Sequence, residues 1–216
     1  MVGVLSDMVW EMWGRWDLVL VNVILFSLFL LFMPFRRRVW GRAIWSARGA
    51  FVAFLISLFT EMYGLPLTVY ILTPLLLTNI ESNEWMLGGH LFGWPGIVIG
   101  TPILLIGALL IIKGWVTIHK AISTEERLVT DSIYGVVRHP QYLGLLLFTL
   151  GWLIHWPTII GAAMWPLLAL LYYRLAKRED RELESVFGEE YRRYRETVPM
   201  FIPKIVKKWL LSLIKR

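Results

Sequence analysis

Arg138-His139-Pro140-Gln141-Tyr142-Leu143-Gly144 opens an apolar hairpin, and a second polar run, RLAKREDRELESVFGEEYRRYRETVPMFIP over 174–203, follows it. Both runs press charges, amides and rings against segments apolar enough to span a bilayer. Charge is costly there, and its presence points to function. Pro140 favours an extended or turn conformation before it and can occupy the first turn of the helix after it. Backbone N–H groups at such a helix start can hold a carboxylate or a phosphate. Tyr142 and Gly144 follow on the first turn, Gly144 permitting close approach of a ligand or another helix. Taken alone, the heptapeptide is better read as a charged cap at the membrane boundary, with Arg138 snorkelling.

The run at 174–203 changes that reading. A helix continuing the preceding apolar segment carries Arg174, Arg178 and Glu182 on one face, with Glu179 and Arg181 beside it. Gly188 is placed to stop this helix after Phe187. A second short helix over 189–197 then presents Tyr191 and Tyr194 before Val198-Pro199. Some of these charges belong to a solvated, salt-bridged helix. A tight hairpin nevertheless makes its two cytoplasmic ends neighbours, which brings His139 and Tyr142 close to Arg174, Arg178 and Glu179.

The elements that must position these residues are membrane helices. With 57% hydrophobic residues among 216 and a mean hydropathy of +0.60, one soluble core cannot hide the apolar surface. The expected fold is an all-α integral membrane bundle of about five transmembrane helices, with a tight C-terminal hairpin and a cytoplasmic C-terminal helical segment. The expected segments are 17–35, 49–77, 93–114, 143–156 and 158–173. The second is too long for one straight span and is interrupted at Gly64, Pro66 and Pro74. The fourth rises only about 22 Å at 1.5 Å per residue, short of a hydrocarbon core about 30 Å thick. Its charged ends therefore sink near one interface, where 174–203 can complete a pocket. Residues 204–216 read as an interfacial amphipathic helix. The first residues lack the pattern of a cleavable signal peptide.

Basic residues set the orientation. Arg36, Arg37, Arg38, Arg42 and Arg48 fill the first loop, whereas 78–92 contains no Lys or Arg. The expected topology has the N-terminus outside and the C-terminus in the cytoplasm. The net charge of +6 then reads as topology and anionic-lipid contact rather than nucleic-acid binding. Absence of cysteine removes disulfides, thiolate nucleophiles and Cys-based metal sites, and no His/Asp/Glu spacing suggests another metal centre. His90, His119 and His155 read as structural. Gly96-xxx-Gly100 reads as a helix-packing face.

LVTDSIYGVVRHPQYLG over 128–144, the acidic pair Glu179-Asp180, and FGEEYRRYRETVPMFIP over 187–203 resemble the integral-membrane methyltransferases related to isoprenylcysteine carboxyl methyltransferase, with phospholipid N-methyltransferases as cousins. The resemblance implies S-adenosylmethionine, with S-adenosylhomocysteine as product, in a cytoplasm-facing pocket built from the hairpin and the C-terminal segment. It implies that Tyr134, Val137, Arg138, His139 and Pro140 contact the cofactor, and that Tyr142, Leu143 and Gly144 line its pocket. Glu179 would take up positive or hydroxyl groups, and Arg174 or Arg178 would orient an anionic acceptor. The family usually has two glutamates where this chain has Glu179-Asp180, which leaves the second acid without an assigned role. Methyl transfer from a sulfonium needs no enzyme nucleophile; proximity, alignment and exclusion of water are the main contributions.

The acceptor does not follow from the motifs. The spans argue for a lipophilic one: a prenylcysteine carboxylate, a phospholipid amine or a thiol. Glu61, about 18 Å along a helix from Gly49, is an acid at membrane depth. It reads equally as an acceptor-site general base and as a protonated carboxyl hydrogen-bonded to a neighbouring helix. Two other classes stand behind: an NADPH-dependent reductase resembling the sterol reductases, whose membrane domain is much larger, and a non-enzymatic membrane scaffold or transporter.

Overall fold

The computed structural model describes residues 14–32, 42–65, 67–68, 94–122 and 128–204. Residues 36–38, residues 69–77 at the end of the second expected segment, residues 78–92 expected as an outer loop, and residues from 205 onward expected as an amphipathic helix lie outside the described residues. Every described element is helical: α1 (Trp16–Phe32), α2 (Arg42–Phe59), α3 (Trp94–Ile122), α4 (Pro140–His155) and α5 (Ile159–Thr197). Two of these, α3 and α5, are long and apolar enough to cross a membrane; α1 is a shorter apolar helix.

α2 passes directly into a π-helical turn, Thr60–Gly64, which ends at the extended residue Leu65. The interruption expected at Gly64 is therefore present, whereas the helix begins at Arg42 rather than at 49. α3 likewise runs beyond its expected end at 114. The reason is that hydropathy marks only the lipid-buried part of a helix, while the backbone hydrogen-bond ladder continues into polar sequence.

α4 packs most extensively against α3, and α2 against α5. Glycine makes the first of these contacts possible. A Cβ at Gly107 would lie 2.5 Å from the Phe148 nitrogen, and one at Gly144 would lie 2.7 Å from the Gly107 oxygen. The two backbones thus meet directly, the close approach that small residues allow between membrane helices. Gly96 belongs to the same seam, where a Cβ would lie 2.9 Å from the Ile154 oxygen. α4 and α5 are joined through 156–158 and share a narrower seam, with Thr158 capping α5 by accepting from the Gly161 N–H at 3.0 Å.

The buried core lies between α2, α4 and α5 and is led by Phe51, Phe54, Leu58, Leu145, Leu168 and Tyr172. The outward faces of α1 and α3 carry exposed Leu20, Ile24, Val98, Leu105 and Leu109. Apolar side chains on both inner and outer faces are what a lipid-facing helix shows. α5 is apolar over 159–173 and polar over 174–197. It bends at Gly188, where φ is 53° and ψ is −121°, a backbone state that glycine adopts without Cβ strain. The bend turns Tyr191 and Tyr194 back toward the start of α4.

Candidate functional site

The turn before α4 is held by a returning strap of chain. The Arg138 N–H donates to the Pro199 oxygen at 2.9 Å, and the His139 N–H to the Met200 oxygen at 3.3 Å. Pro140 occupies the first turn of α4, as expected, and His139 is its N-cap. The expectation that the amides at this turn hold an anion is corrected at 138 and 139. Both are spent on the strap, because a buried N–H must find a partner and the bend at Gly188 brings one.

Beneath the turn lies a buried cluster of two cations and two acids. Asp180 accepts from Arg138 Nη2 at 2.9 Å, from His139 Nε2 at 2.7 Å and from the Tyr191 hydroxyl. His139 Nδ1 lies 3.4 Å from Glu179 Oε2. The Arg138 guanidinium also donates through Nη1 to the Arg195 and Val198 oxygens, at 2.9 and 2.8 Å. It thereby satisfies orphan carbonyls at the C-terminal end of α5. Arg138, His139 and Asp180 side chains are at most 8% exposed, so these charges are stable only together.

Electrostatics follow from that packing. Burial works to lower the His139 pKa, but hydrogen bonds to Asp180 and Glu179 outweigh it, and the value is raised. Burial likewise works to raise Asp180, but the His139 hydrogen bond and charge, Tyr191 and Arg138 bring it below the ordinary value. Tyr191 is held protonated, since burial and the Asp180 carboxylate both raise it. The two acids thus favour protonation of His139 over that of a free imidazole.

A narrow cleft of about 20 Å³ opens beside the cluster. Its polar groups are Glu179, Arg138 and the rings of Tyr134, Tyr191 and Tyr194; Leu128, Val129, Ile118 and Leu183 make its apolar walls. The Tyr194 hydroxyl donates to the Tyr134 oxygen at 2.7 Å, which ties the 3₁₀ turn Ser132–Gly135 to α5.

Several expected site residues thus converge and others do not. Tyr134, Arg138 and Glu179 line the cleft, and His139 lies directly below it. Tyr142 stacks on His139 at 5.5 Å between ring centroids and hydrogen-bonds to Glu179. Val137 and Pro140 are buried supports of the turn, Leu143 is half-buried outside the cleft, and Gly144 faces α3. Arg174 is exposed on α5, and Arg178 pairs with Glu182 at 3.0 Å; neither lines the cleft.

Glu61 is elsewhere. It is 2% exposed and accepts from the Thr68 N–H at 2.9 Å, while the Thr68 hydroxyl accepts from the Ile159 N–H at 2.9 Å. That places it by the 156–158 connection, at the opposite end of α4 from His139 and roughly 24 Å away along a helix rising 1.5 Å per residue. His155, bonded to Thr101 at 2.9 Å, sits at the same end in the structural role expected of it.

Asp180 is the residue that sequence reasoning left without a role, and it is the hub. Tyr191 and Tyr194 were visible as a pair three residues apart after Gly188, on one helical face. What could not be read was that the face turns inward.

Residues 90–190 match the phospholipid methyltransferase family. Over 82 residues the chain is 35% identical to Protein-S-isoprenylcysteine O-methyltransferase of Schizosaccharomyces pombe, covering 38% of this chain and 35% of that one. Over 208 residues it is 27% identical to Methanethiol S-methyltransferase 2 of Bradyrhizobium diazoefficiens, covering 88% and 74%. A Delta(14)-sterol reductase of Methylotuvimicrobium alcaliphilum is 30% identical over 99 residues, 42% of this chain and 22% of that one. The chain therefore spans about a third of the yeast enzyme's length and about three quarters of the bacterial one's. No solved structure matches it significantly.

Proposed function

Residues 90–190 belong to the phospholipid methyltransferase family, and from that premise we propose S-adenosylmethionine-dependent methyl transfer to a lipophilic acceptor at the cytoplasmic membrane face. The observation that carries this is the cleft itself, in which a carboxylate, Glu179, stands among three tyrosines and an apolar wall beside the Arg138-His139-Pro140 turn. Such a lining fits a ligand with hydroxyl or cationic groups at one end and a flat ring at the other. When bound, S-adenosylmethionine supplies a methyl group on a sulfonium, whose leaving group is already activated.

The residues then have distinct tasks. Glu179 takes up hydroxyl or positive groups, with His139 and Tyr142 fixing its carboxylate. Tyr134, Tyr191 and Tyr194 enclose the ring. Arg138 and Asp180 hold the turn, the strap and α5 in register, which supplies alignment rather than a proton transfer. Val137, Pro140, Leu143 and Gly144 act through the backbone of the turn and its packing. Arg174 and Arg178, on the flank of α5, meet an acceptor's charge or anionic lipid headgroups as the molecule approaches. The bundle has five spans, with the N-terminus outside and the C-terminus in the cytoplasm.

The match to a sterol reductase favours one competing reading, in which the same cleft takes NADPH. Equilibrium binding by the purified protein separates the two. Binding of S-adenosylhomocysteine without NADPH is expected; tight NADPH binding without either methyl-donor species would overturn the methyltransferase reading.

A further inference from the structure

The cleft of about 20 Å³ has room for little more than a water molecule, whereas a ligand site commonly holds about 300–1,000 Å³. A cofactor therefore enters only if a wall of the cleft moves. The two walls are held differently. Arg138, Glu179 and Tyr191 stand on the side fixed by the buried Asp180 cluster and by the strap bonds to the Arg138 and His139 N–H groups. The facing side is the stretch 128–135, which contributes Leu128, Val129 and Tyr134. Small apolar clusters seat it: Val129 and Tyr134 against Ile118 and Ala121 of α3, and Leu128 against Tyr191, Tyr194 and Val198. The Tyr194 hydroxyl donates to the Tyr134 oxygen at 2.7 Å across the join. Within the stretch, Ser132 is exposed yet has a φ of 54°. A residue with a Cβ is strained there and stays so only where its surroundings impose it, as they do at ligand clamps and switch regions.

We infer that residues 128–135 form a gate over the cleft, latched shut by the Tyr194 hydroxyl on the Tyr134 oxygen and opened with relaxation of the Ser132 backbone. What passes the gate rests on the methyltransferase reading above; the gate itself does not. The Asp180 side resists opening, because separating the buried Arg138–Asp180 pair would leave charges without their partners. Lifting 128–135 instead breaks a neutral hydrogen bond and uncovers a few apolar side chains, and the relaxing Ser132 φ offsets part of that cost. Stretches with few buried contacts are the ones that open locally while the rest of a protein stays folded. Opening would uncover Glu179 and the Tyr191 ring to a ligand. Closing would return Tyr134 over it and exclude water from the transfer, as lids commonly do. Cofactor exchange then runs through the open form, whose population is set by the Tyr194 hydroxyl and by Ser132.

The chain contains no cysteine, so one introduced thiol reports opening in the full chain in detergent. Val129→Cys puts the thiol in the closed wall, at a position 6% exposed, and Leu168→Cys puts one in the core, where it reports global unfolding. Tyr194→Phe keeps the ring and removes the latch. It is expected to speed maleimide modification of the Val129→Cys thiol roughly two- to tenfold, the effect of losing a neutral hydrogen bond, and to leave the Leu168→Cys thiol unchanged. Ser132→Val, disfavoured at a positive φ, should speed it likewise; Ser132→Asn, which adopts such a φ readily, should not. Without an introduced thiol, Tyr194→Phe should bind and release S-adenosylhomocysteine faster by similar factors, so that Kd moves less than either rate. Equal acceleration of both thiols would mean global destabilisation, and faster release with unchanged association would mean a contact made only in the bound state. Either result overturns the gate, as does unchanged modification of the Val129→Cys thiol. If the thiols respond as expected and wild-type protein binds no S-adenosylhomocysteine, the gate stands and the methyltransferase reading falls.

Discussion

His139 Nε2 lies 2.7 Å from Asp180 Oδ1, joining the start of α4 to the polar half of α5. The same carboxylate accepts from Arg138 and Tyr191, so one acid links the turn, the helix that follows the apolar hairpin and the segment beyond the Gly188 bend. The cleft owes its shape to that linkage.

Replacing Asp180 by Asn keeps the shape and removes the charge. Arg138 and His139 would then be left buried without their main counter-charge, a loss of about 3 kcal/mol or more when a buried pair is broken from one side. Tm should fall and S-adenosylhomocysteine binding should weaken, as read by thermal unfolding in detergent and by titration calorimetry. Wild-type values for both would show that Asp180 does not organise the cleft.

The cluster also sets a pH dependence. His139 is raised above 6.5, so its stabilisation is fully present below that value and is lost as pH rises through the folded-state value. Asp180 is lowered below 3.8, so its contribution is present above that value and is lost as pH falls through the folded-state value. Stability should therefore decline on the alkaline side by an amount that His139→Gln abolishes. Parallel Tm–pH curves for the two proteins above neutrality would contradict the assignment.

Gly144→Ala tests the packing that positions the turn. The added Cβ would meet the Gly107 oxygen at 2.7 Å and the Ile111 nitrogen at 3.0 Å, both backbone atoms that cannot step aside. Overpacking of this kind costs about 1–3 kcal/mol. A lower Tm with a proportionate loss of cofactor affinity is expected, because α4 would shift away from α3 and take the turn with it.

Glu61→Gln should leave turnover unchanged. The amide oxygen can still accept from the Thr68 N–H, and the residue lies at the opposite end of α4 from the cleft. Glu61→Leu should instead lower stability by about 1–3 kcal/mol, since it strands a buried N–H. Loss of methyl transfer in the Gln variant, with Tm retained, would return Glu61 to the chemistry.

Much of the fold was legible because hydropathy has a length scale. A run of apolar residues bounded by charge, Pro or Gly marks an apolar helix; α1, α3, α4 and α5 are helical, and α3 and α5 are long and apolar enough to cross a membrane. The break at Gly64 and the bend at Gly188 were legible for the same local reason, since glycine marks where a helix can stop or turn. Helix ends were less so: α2 and α3 continue past their apolar stretches because polar residues extend a helix as readily as they end one.

Residue types alone established that Arg138, His139, Tyr142 and Glu179 would be expensive to bury and would have to meet. Chain connectivity through 156–158 made their meeting necessary. Tertiary structure decided what each group faces. It placed Asp180 at the centre, spent the Arg138 and His139 amides on the strap, turned Gly144 toward α3 and sent Glu61 to the far end of α4. Those outcomes depend on the direction of the α5 bend and on how closely α3 and α4 approach. Both are settled by contacts between residues distant in the chain, which no local pattern encodes.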